Sequence, residues 1–399
     1  MRRFLLGEGR LPPPDAVRVE ELINYFDYDY AGPQDDVPFA AHIEVAGCPW
    51  KPGHRLVRIG LKGMEIDREQ RPPSNLVFLL DVSGSMNSPD KLPLLKEGMK
   101  LLARQLGKND RVAVVVYASA EGLVLPSTSG AERETIVAAL DGLQAGGSTA
   151  GGAGIELAYR IAQENFSVLG FGRGNLNDAM METISNKGNG NYAYIDGVTE
   201  ARKVLVKQMG GTLITIAKDV KIQVEFNPAR VAAYRLIGYE NRILAAEDFN
   251  DDKKDAGEIG AGHTVTALYE VVPAGEKVDV PSVDPLKCQA PTRQRDDAAA
   301  GKELLTLKLR YKAPDGDTSS LLEFPLVDAG KAFGKASRDY QFATAVASFG
   351  MLLRGSEHKG TGTYDAVLEI ATAAKGPDVH GYREELLEMV RRARLLTER

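Results

Sequence analysis

Cysteine is nearly absent: the chain has two in 399 residues, Cys48 and Cys288. Two thiols cannot build a disulfide framework, and their wide separation matches no zinc-ligand spacing. One bridge between them, or two unpaired thiols, both stay open. No run of about 18 apolar residues exists, so no helix long enough to span a membrane is expected. Excess positive charge is also missing. Forty-nine Lys and Arg stand against 55 Asp and Glu, a net charge of −6. Without a basic stripe, nucleic acid is excluded as a partner. The opening residues Met1 to Gly7 offer an apolar stretch of only three. A signal peptide needs roughly 7–15 apolar residues, so export cannot be read from this start. Five scattered histidines form no His-Glu-x-x-His pair, and no serine sits in a Gly-x-Ser-x-Gly elbow. The Gly-rich stretch at 146–152 lacks the Lys-Ser/Thr of a phosphate loop and follows a helix rather than a strand. The acidic loop Asp248 to Glu258 fails the calcium-loop pattern, with Lys253 at the required glycine. These absences argue against an enzyme.

What is present divides the chain into four stretches, and its length suggests about two to four domains. Residues 1–73 carry a Pro-rich opening, a helical pattern from Ala16 to Phe26, and strands Phe39 to Val45 and His54 to Leu61. The second strand alternates, as a half-buried antiparallel strand does.

Residues 74–211 change character. Leu76 to Leu80 is a continuous apolar run, the mark of a strand buried on both faces of a parallel sheet. Ser88 and Pro89 read as an N-cap and first helical residue. Leu92, Leu95, Met99 and Leu102 then mark one helical face. Strands Arg111 to Tyr117, Leu123 to Leu125, Val168 to Phe171 and Tyr192 to Ile195 alternate with helices at 131–143, up to Asn165, 178–186 and 200–209. That alternation implies a doubly wound, Rossmann-like α/β sheet.

Residues 212–334 return to strands, at 212–216, 220–226, 231–239, 263–272, 303–311 and 319–325, and read as a β-sandwich. The strands of 1–73 are assigned to the same sandwich, so the α/β domain is an insertion within it. Residues 335–399 form a small C-terminal helical region. Phe342, Ala345, Val346, Phe349 and Leu352 share one face, and Gly376-Pro377 separates two further helices.

The motif that carries chemistry is Asp81-Val82-Ser83-Gly84-Ser85, between the first apolar strand and the following helix. In a doubly wound sheet that is the carboxyl edge, where ligands bind. Asp81 offers a carboxylate, and Ser83 and Ser85 offer hydroxyl oxygens two residues apart. Hard oxygen donors with little charge suit Mg²⁺, which keeps several waters.

Asp-x-Ser-x-Ser after an apolar strand resembles the metal-ion-dependent adhesion site of von Willebrand factor A (VWA) domains. In that family a threonine from a second loop joins the set, and Thr149 in Gly-Gly-Ser-Thr-Ala-Gly-Gly stands at its place. The resemblance implies Mg²⁺, or Mn²⁺ or Ca²⁺, held by Asp81, Ser83, Ser85 and Thr149. It also implies that carboxylates are reached largely through water and that a free coordination position accepts an acidic side chain of a protein partner. Residues 12–26, Cys48-Pro49-Trp50 and 342–354 narrow the match, resembling bacterial VWA proteins of the YfbK type over nearly the whole chain. The resemblance implies an extracytoplasmic place, the periplasm or cell surface. It also leaves an alternative: a scaffold working with an AAA-type ATPase, or a metal site that does not function.

One departure stands out. VWA domains have a further strand, ending in an aspartate of the metal site, and a helix after it. Here the helix ending near Asn165 runs straight into Val168 to Phe171, so one central strand–helix unit after Phe166 is lacking. Such a unit with its loops takes roughly 25–45 residues. Two explanations stand, and the first is preferred: residues that belong to the molecule are missing from the sequence at this point, or the chain truly lacks them. In the second case Val168 to Phe171 should slide beside the first strand and bring Asp178 toward the metal; the plainer reading of Asp178 is a helix N-terminal residue.

Overall fold

The computed structural model of the protein describes residues 1–34, 37–67, 72–118, 121–147, 168–171, 192–207, 214–239, 257–276 and 301–398. In chain order its strands are β1 Phe39–Gly47, β2 Arg55–Gly63, β3 Asn75–Asp81, β4 Arg111–Tyr117, β5 Glu121–Ser129, β6 Val168–Phe171, β7 Tyr192–Ile195, β8 Thr215–Phe226, β9 Val231–Leu236, β10 Ile259–Gly260, β11 Thr264–Pro273, β12 Glu303–Lys312 and β13 Ser319–Val327. The α-helices are α1 Val19–Asn24, α2 Leu92–Ala103, α3 Arg133–Asp141, α4 Val198–Arg202, α5 Arg338–Leu353, α6 Tyr364–Ala373 and α7 Tyr382–Thr397. The chain forms two compact units. One comprises Met1–Met64, Ala217–Ala256 and Thr264–Arg399; the other comprises Glu65–Ile216 and Gly257–His263.

In the first unit, β1, β2, β11 and β9 form an antiparallel sheet in that order. β8, β12 and β13 form a second. Phe39 of β1 meets Tyr311 of β12 edge-on at 5.3 Å, and Phe226 of β8 packs on Tyr234 and Tyr269. Phe39 and Phe226 are buried in these contacts, which join the two sheets as the inner faces of a sandwich do, while Tyr234 is exposed at the edge. The strands of the first 73 residues belong to it: Leu61 of β2 lies opposite Val265 of β11.

Helices cover the other face of the first sheet. Leu56 and Leu268 share a core with Ile23, Phe26, Tyr340, Phe349 and Val390. Ser337 caps α5 by accepting the Tyr340 N–H. The sequence marks one apolar face on this helix. The structure buries nearly all of it, including Ala343, Thr344 and Ala347. A helix apolar all round belongs inside a core. The same layer changes the reading of β2. Its alternation predicts one wet face, yet Leu56 through Leu61 are all buried. The ring of Tyr30 lies over Gly60, where a Cβ would sit 2.3 Å from the ring carbon Cζ. Arg58 stacks on the same ring and faces Glu44 at 3.5 Å. The predicted break between 216 and 220 is also corrected: β8 runs through it. Asp219 adopts φ +52° and the register against β12 shifts there, so a β-bulge replaces the loop.

In the second unit, β3 and β4 run parallel and β5 joins β4 antiparallel. Leu92, Leu95, Met99 and Leu102 of α2 are buried with Leu80, Val112 and Val114, the face expected from their spacing. The helix begins later than Ser88 and Pro89 suggest. Residues 88–91 close a turn, the Lys91 N–H donating to the Ser88 carbonyl, and α2 starts at Leu92 with Pro93 in its first turn. The stretch from Lys203 to Lys207, expected to continue a regular helix, is a π-helical turn after α4.

β6 pairs with β7 in parallel as a separate ladder. Among the described residues no ladder joins β6 to β3, so the slide of Val168 to Phe171 beside the first strand, required only if the unit is truly lacking, is not found. β3 has a partner on one side only among those residues. Its residues Leu76 to Leu79 are half-buried, where Val112 to Val115 of β4 are buried. Full burial of the apolar run Leu76–Leu80 was expected, and a neighbour on each side is what it requires. The helices expected up to Asn165 and at 178–186, Asp178 itself, Cys288 and nearly all of the acidic loop from Asp248 lie outside the described residues.

Candidate metal centre

Asp81 ends β3, and the parallel register sets it directly opposite Tyr117, the end of β4. The next residue keeps the strands together: the Val82 N–H donates to the Tyr117 carbonyl at 3.0 Å. The chain then turns sharply. The Ser83 N–H donates to Asp81 Oδ1 at 2.8 Å, a side-chain-closed turn that holds the carboxylate over the loop. Residues Gly84–Met86 form a single 3-10 turn. It swings Ser85 back toward Ser83, whose hydroxyl is 3.1 Å from that of Ser85. Ser83 is buried and Ser85 exposed, so the pair opens outward. The Lys91 ammonium donates to the Ser85 carbonyl at 2.9 Å and closes the far side of the turn.

The Gly-rich segment is tied to this loop. The Gly146 N–H donates to the Val82 carbonyl at 2.8 Å, and the Gly84 N–H donates to the Gly147 carbonyl at 2.9 Å. The contact is tight at Gly84, and the backbone at Gly147 favours glycine. A Cβ on Gly84 would lie 3.3 Å from the Gly147 carbonyl oxygen, and Gly147 has φ +74°. Thr149 lies outside the described residues, two positions beyond this pinned glycine. The structure therefore brings together Asp81, Ser83 and Ser85, and fixes the segment that leads to Thr149.

The donor set fits a small divalent cation. Adjacent ligands on an octahedral ion with bonds of 2.0–2.1 Å stand about 2.9 Å apart, and the serine hydroxyls are 3.1 Å apart. All the donors are oxygen, and only one carries charge. Among the described residues no group of three or more His, Cys, Asp and Glu side chains is arranged for a metal, so a centre here depends on hydroxyls. Tyr117 was not anticipated from the sequence. Burial, and then the charge of Asp81 and a hydrogen bond to it, push the Tyr117 hydroxyl up to about 12. It therefore stays protonated beside the Asp81 carboxylate. The signal that could have found it is the parallel register of the two apolar runs, which only their pairing fixes.

The fold and this loop are those of a VWA-domain protein. A profile for the von Willebrand factor type A domain matches residues 76–209, and one described as von Willebrand factor matches residues 1–58. A third, described as uncharacterized protein YfbK, C-terminal, matches residues 211–396. The uncharacterized protein YfbK of Escherichia coli strain K12 is 42% identical over 437 residues, covering 98% of this chain and 75% of that one. The chain belongs to the YfbK-type family of VWA proteins. An Arabidopsis thaliana protein named E3 ubiquitin-protein ligase WAV3 is 29% identical over 277 residues, covering 59% of this chain and 37% of its own. Among solved structures, a von Willebrand factor type A protein from Catenulispora acidiphila aligns with 92% of this chain and 91% of its own, at 15% identity and a TM-score of 0.43. The ArnB paralog VWA2 from Sulfolobus acidocaldarius aligns with 91% and 98%, at 10% identity and a TM-score of 0.42.

The E. coli alignment is longer than the chain itself, 437 residues against 399, so it holds at least 38 positions with no counterpart here. That is the size of a strand and a helix with their loops.

Proposed function

We propose that the rim formed by Asp81, Ser83, Ser85 and Thr149 holds a divalent cation, Mg²⁺ in the first place, and that the cation binds an acidic side chain of a protein partner. The observation that carries this reading is the pair of serine hydroxyls 3.1 Å apart beside a carboxylate already fixed by its own loop. Ser83 and Ser85 would bind the ion directly, and Asp81 would meet it through water. When bound, the ion supplies a Lewis-acidic position open to a partner's carboxylate. Protein interaction is common work for VWA domains, and the chain's membership in a VWA family supports it. No nucleophile with an adjacent base accompanies the described site, so a binding role is favoured over an enzymatic one. Among the described residues no helix is long and apolar enough to cross a membrane. We place the protein outside the cytoplasm by its family resemblance, and cell fractionation of the full gene product tests that.

The central experiment is a pull-down from lysate with the full chain in Mg²⁺, in EDTA, and as the Ser83→Ala/Ser85→Ala variant. Partner capture should vanish in EDTA and in the variant alike. Capture that survives chelation refutes the cation bridge and favours a metal-free scaffold.

A further inference from the structure

The turn that carries Ser83 and Ser85 belongs to a closed ring. It leads into α2, and Lys96 of that helix reaches back to the second loop. The half-buried Lys96 ammonium donates to the Asp141 carbonyl at 3.0 Å and to the Leu143 carbonyl. These acceptors lie at the end of α3, where carbonyls lack partners within the helix and a cation is favoured. Leu140 and Leu143 are buried with Leu92 and Leu95 of α2, so apolar packing backs the contact. From Leu143 the chain reaches Gly146, whose N–H donates to the Val82 carbonyl at 2.8 Å. Gly147 follows, and its carbonyl accepts the Gly84 N–H at 2.9 Å. The ring thus returns to the turn where it began. Lys100 also pairs with the Asp141 carboxylate, at 2.7 Å, but that carboxylate is 54% exposed and such a surface pair holds little.

From this ring we infer that Lys96 is a positioning residue of the cation site: by tying the second loop to α2, it fixes the spacing of the Ser83 and Ser85 hydroxyls. The inference rests on the cation reading above. The Lys96 bonds go to carbonyls of the second loop, not to Ser83, Ser85 or Asp81, so the lysine acts through the backbone. Mg²⁺ demands near-ideal octahedral geometry with short bonds, whereas Ca²⁺ accepts longer bonds and flexible coordination. Serine hydroxyls held 3.1 Å apart serve the stricter ion. Without the ammonium, the segment from Asp141 to Gly147 is free to shift, and the serine turn loses its support from that side. A loosened pair of hydroxyls should cost Mg²⁺ more than Ca²⁺.

The test compares the unaltered full chain with Lys96→Met, which keeps the apolar stem and deletes the donor, and with Lys96→Arg, which keeps a donor. Mg²⁺ and Ca²⁺ are each titrated into the metal-free proteins by calorimetry. Partners outside the direct ligand set are worth about 10–100-fold in metal affinity. Lys96→Met should lose about tenfold in Mg²⁺ affinity and less in Ca²⁺ affinity, and Lys96→Arg should restore the Mg²⁺ value. Should Lys96→Met fail to fold, Lys96→Gln carries the same comparison. An equal loss for both ions, or a lowered metal-free thermal midpoint with Mg²⁺ affinity intact, marks a lysine that only stabilises the unit and overturns the assignment. Unchanged affinities for both ions overturn it too while leaving the cation reading intact. If the unaltered chain binds neither ion, the cation reading falls and this assignment with it.

Discussion

Glu270 on β11 offers the sharpest test of how the first unit is held together. Its carboxylate is buried and accepts four bonds. The Trp50 indole N–H donates at 3.1 Å and His54 Nδ1 at 2.6 Å. Arg235 donates from Nε at 3.0 Å and from Nη2. Burial alone would push this carboxyl up. The Arg235 guanidinium, with the Trp50 and His54 bonds, outweighs burial and holds it below the usual carboxylate range. Glu270→Gln keeps the volume, removes the charge and turns an amide N–H₂ toward groups that are themselves donors. Breaking a buried ion pair by removing one partner costs about 3–5 kcal/mol. Retained shape argues for the lower end, about 3 kcal/mol. With a urea slope of about 2–3 kcal/mol per molar, the midpoint should fall by about 1 M or more. The assay is built in, because Trp50 is the chain's single tryptophan, is 1% exposed and touches Glu270 itself. Its fluorescence follows unfolding of this unit. The pH dependence has a definite sign. A carboxyl with a depressed folded-state pKa stabilises fully above its unfolded value of about 4.3. That stabilisation is lost as pH falls through the folded value, so the gap between the two proteins should close in acid. An unchanged urea midpoint, or a gap constant down to strong acid, would refute the account.

Two further outcomes follow from the packing. Gly60→Ala drives a methyl to within 2.3 Å of the Tyr30 ring, which is itself buried, and should cost about 1–3 kcal/mol, read as a lowered thermal midpoint; an unchanged midpoint would show that the ring moves freely. Burial and the nearby Glu270 charge push the Cys48 thiol up to about 12, so iodoacetamide at pH 8 should leave it unmodified in the native chain and alkylate it in urea, as peptide mass spectrometry would record.

The sequence carried the local features of this protein by itself. Apolar runs of five to seven residues named β3 and β4, because strands in a covered parallel sheet need apolar residues on both faces. Spacing alone named the buried face of α2. The position of Asp81 between an apolar strand and a helix put it at the carboxyl edge, and chain connectivity enforces that in a doubly wound sheet. Tertiary structure decided whatever depends on register and layering. The rung that sets Tyr117 against Asp81 joins residues far apart in the chain, and no periodicity records it. The bonds from Gly146 and Gly147 to the Asp81 loop are backbone bonds, indifferent to side-chain pattern. The alternation of β2 promised one wet face, and the helical layer covered it. The Glu270 cluster gathers Trp50, His54 and Arg235 from three strands and turns. Local pattern reports what a segment does with its own two faces; which faces meet is fixed by the other segments that need covering.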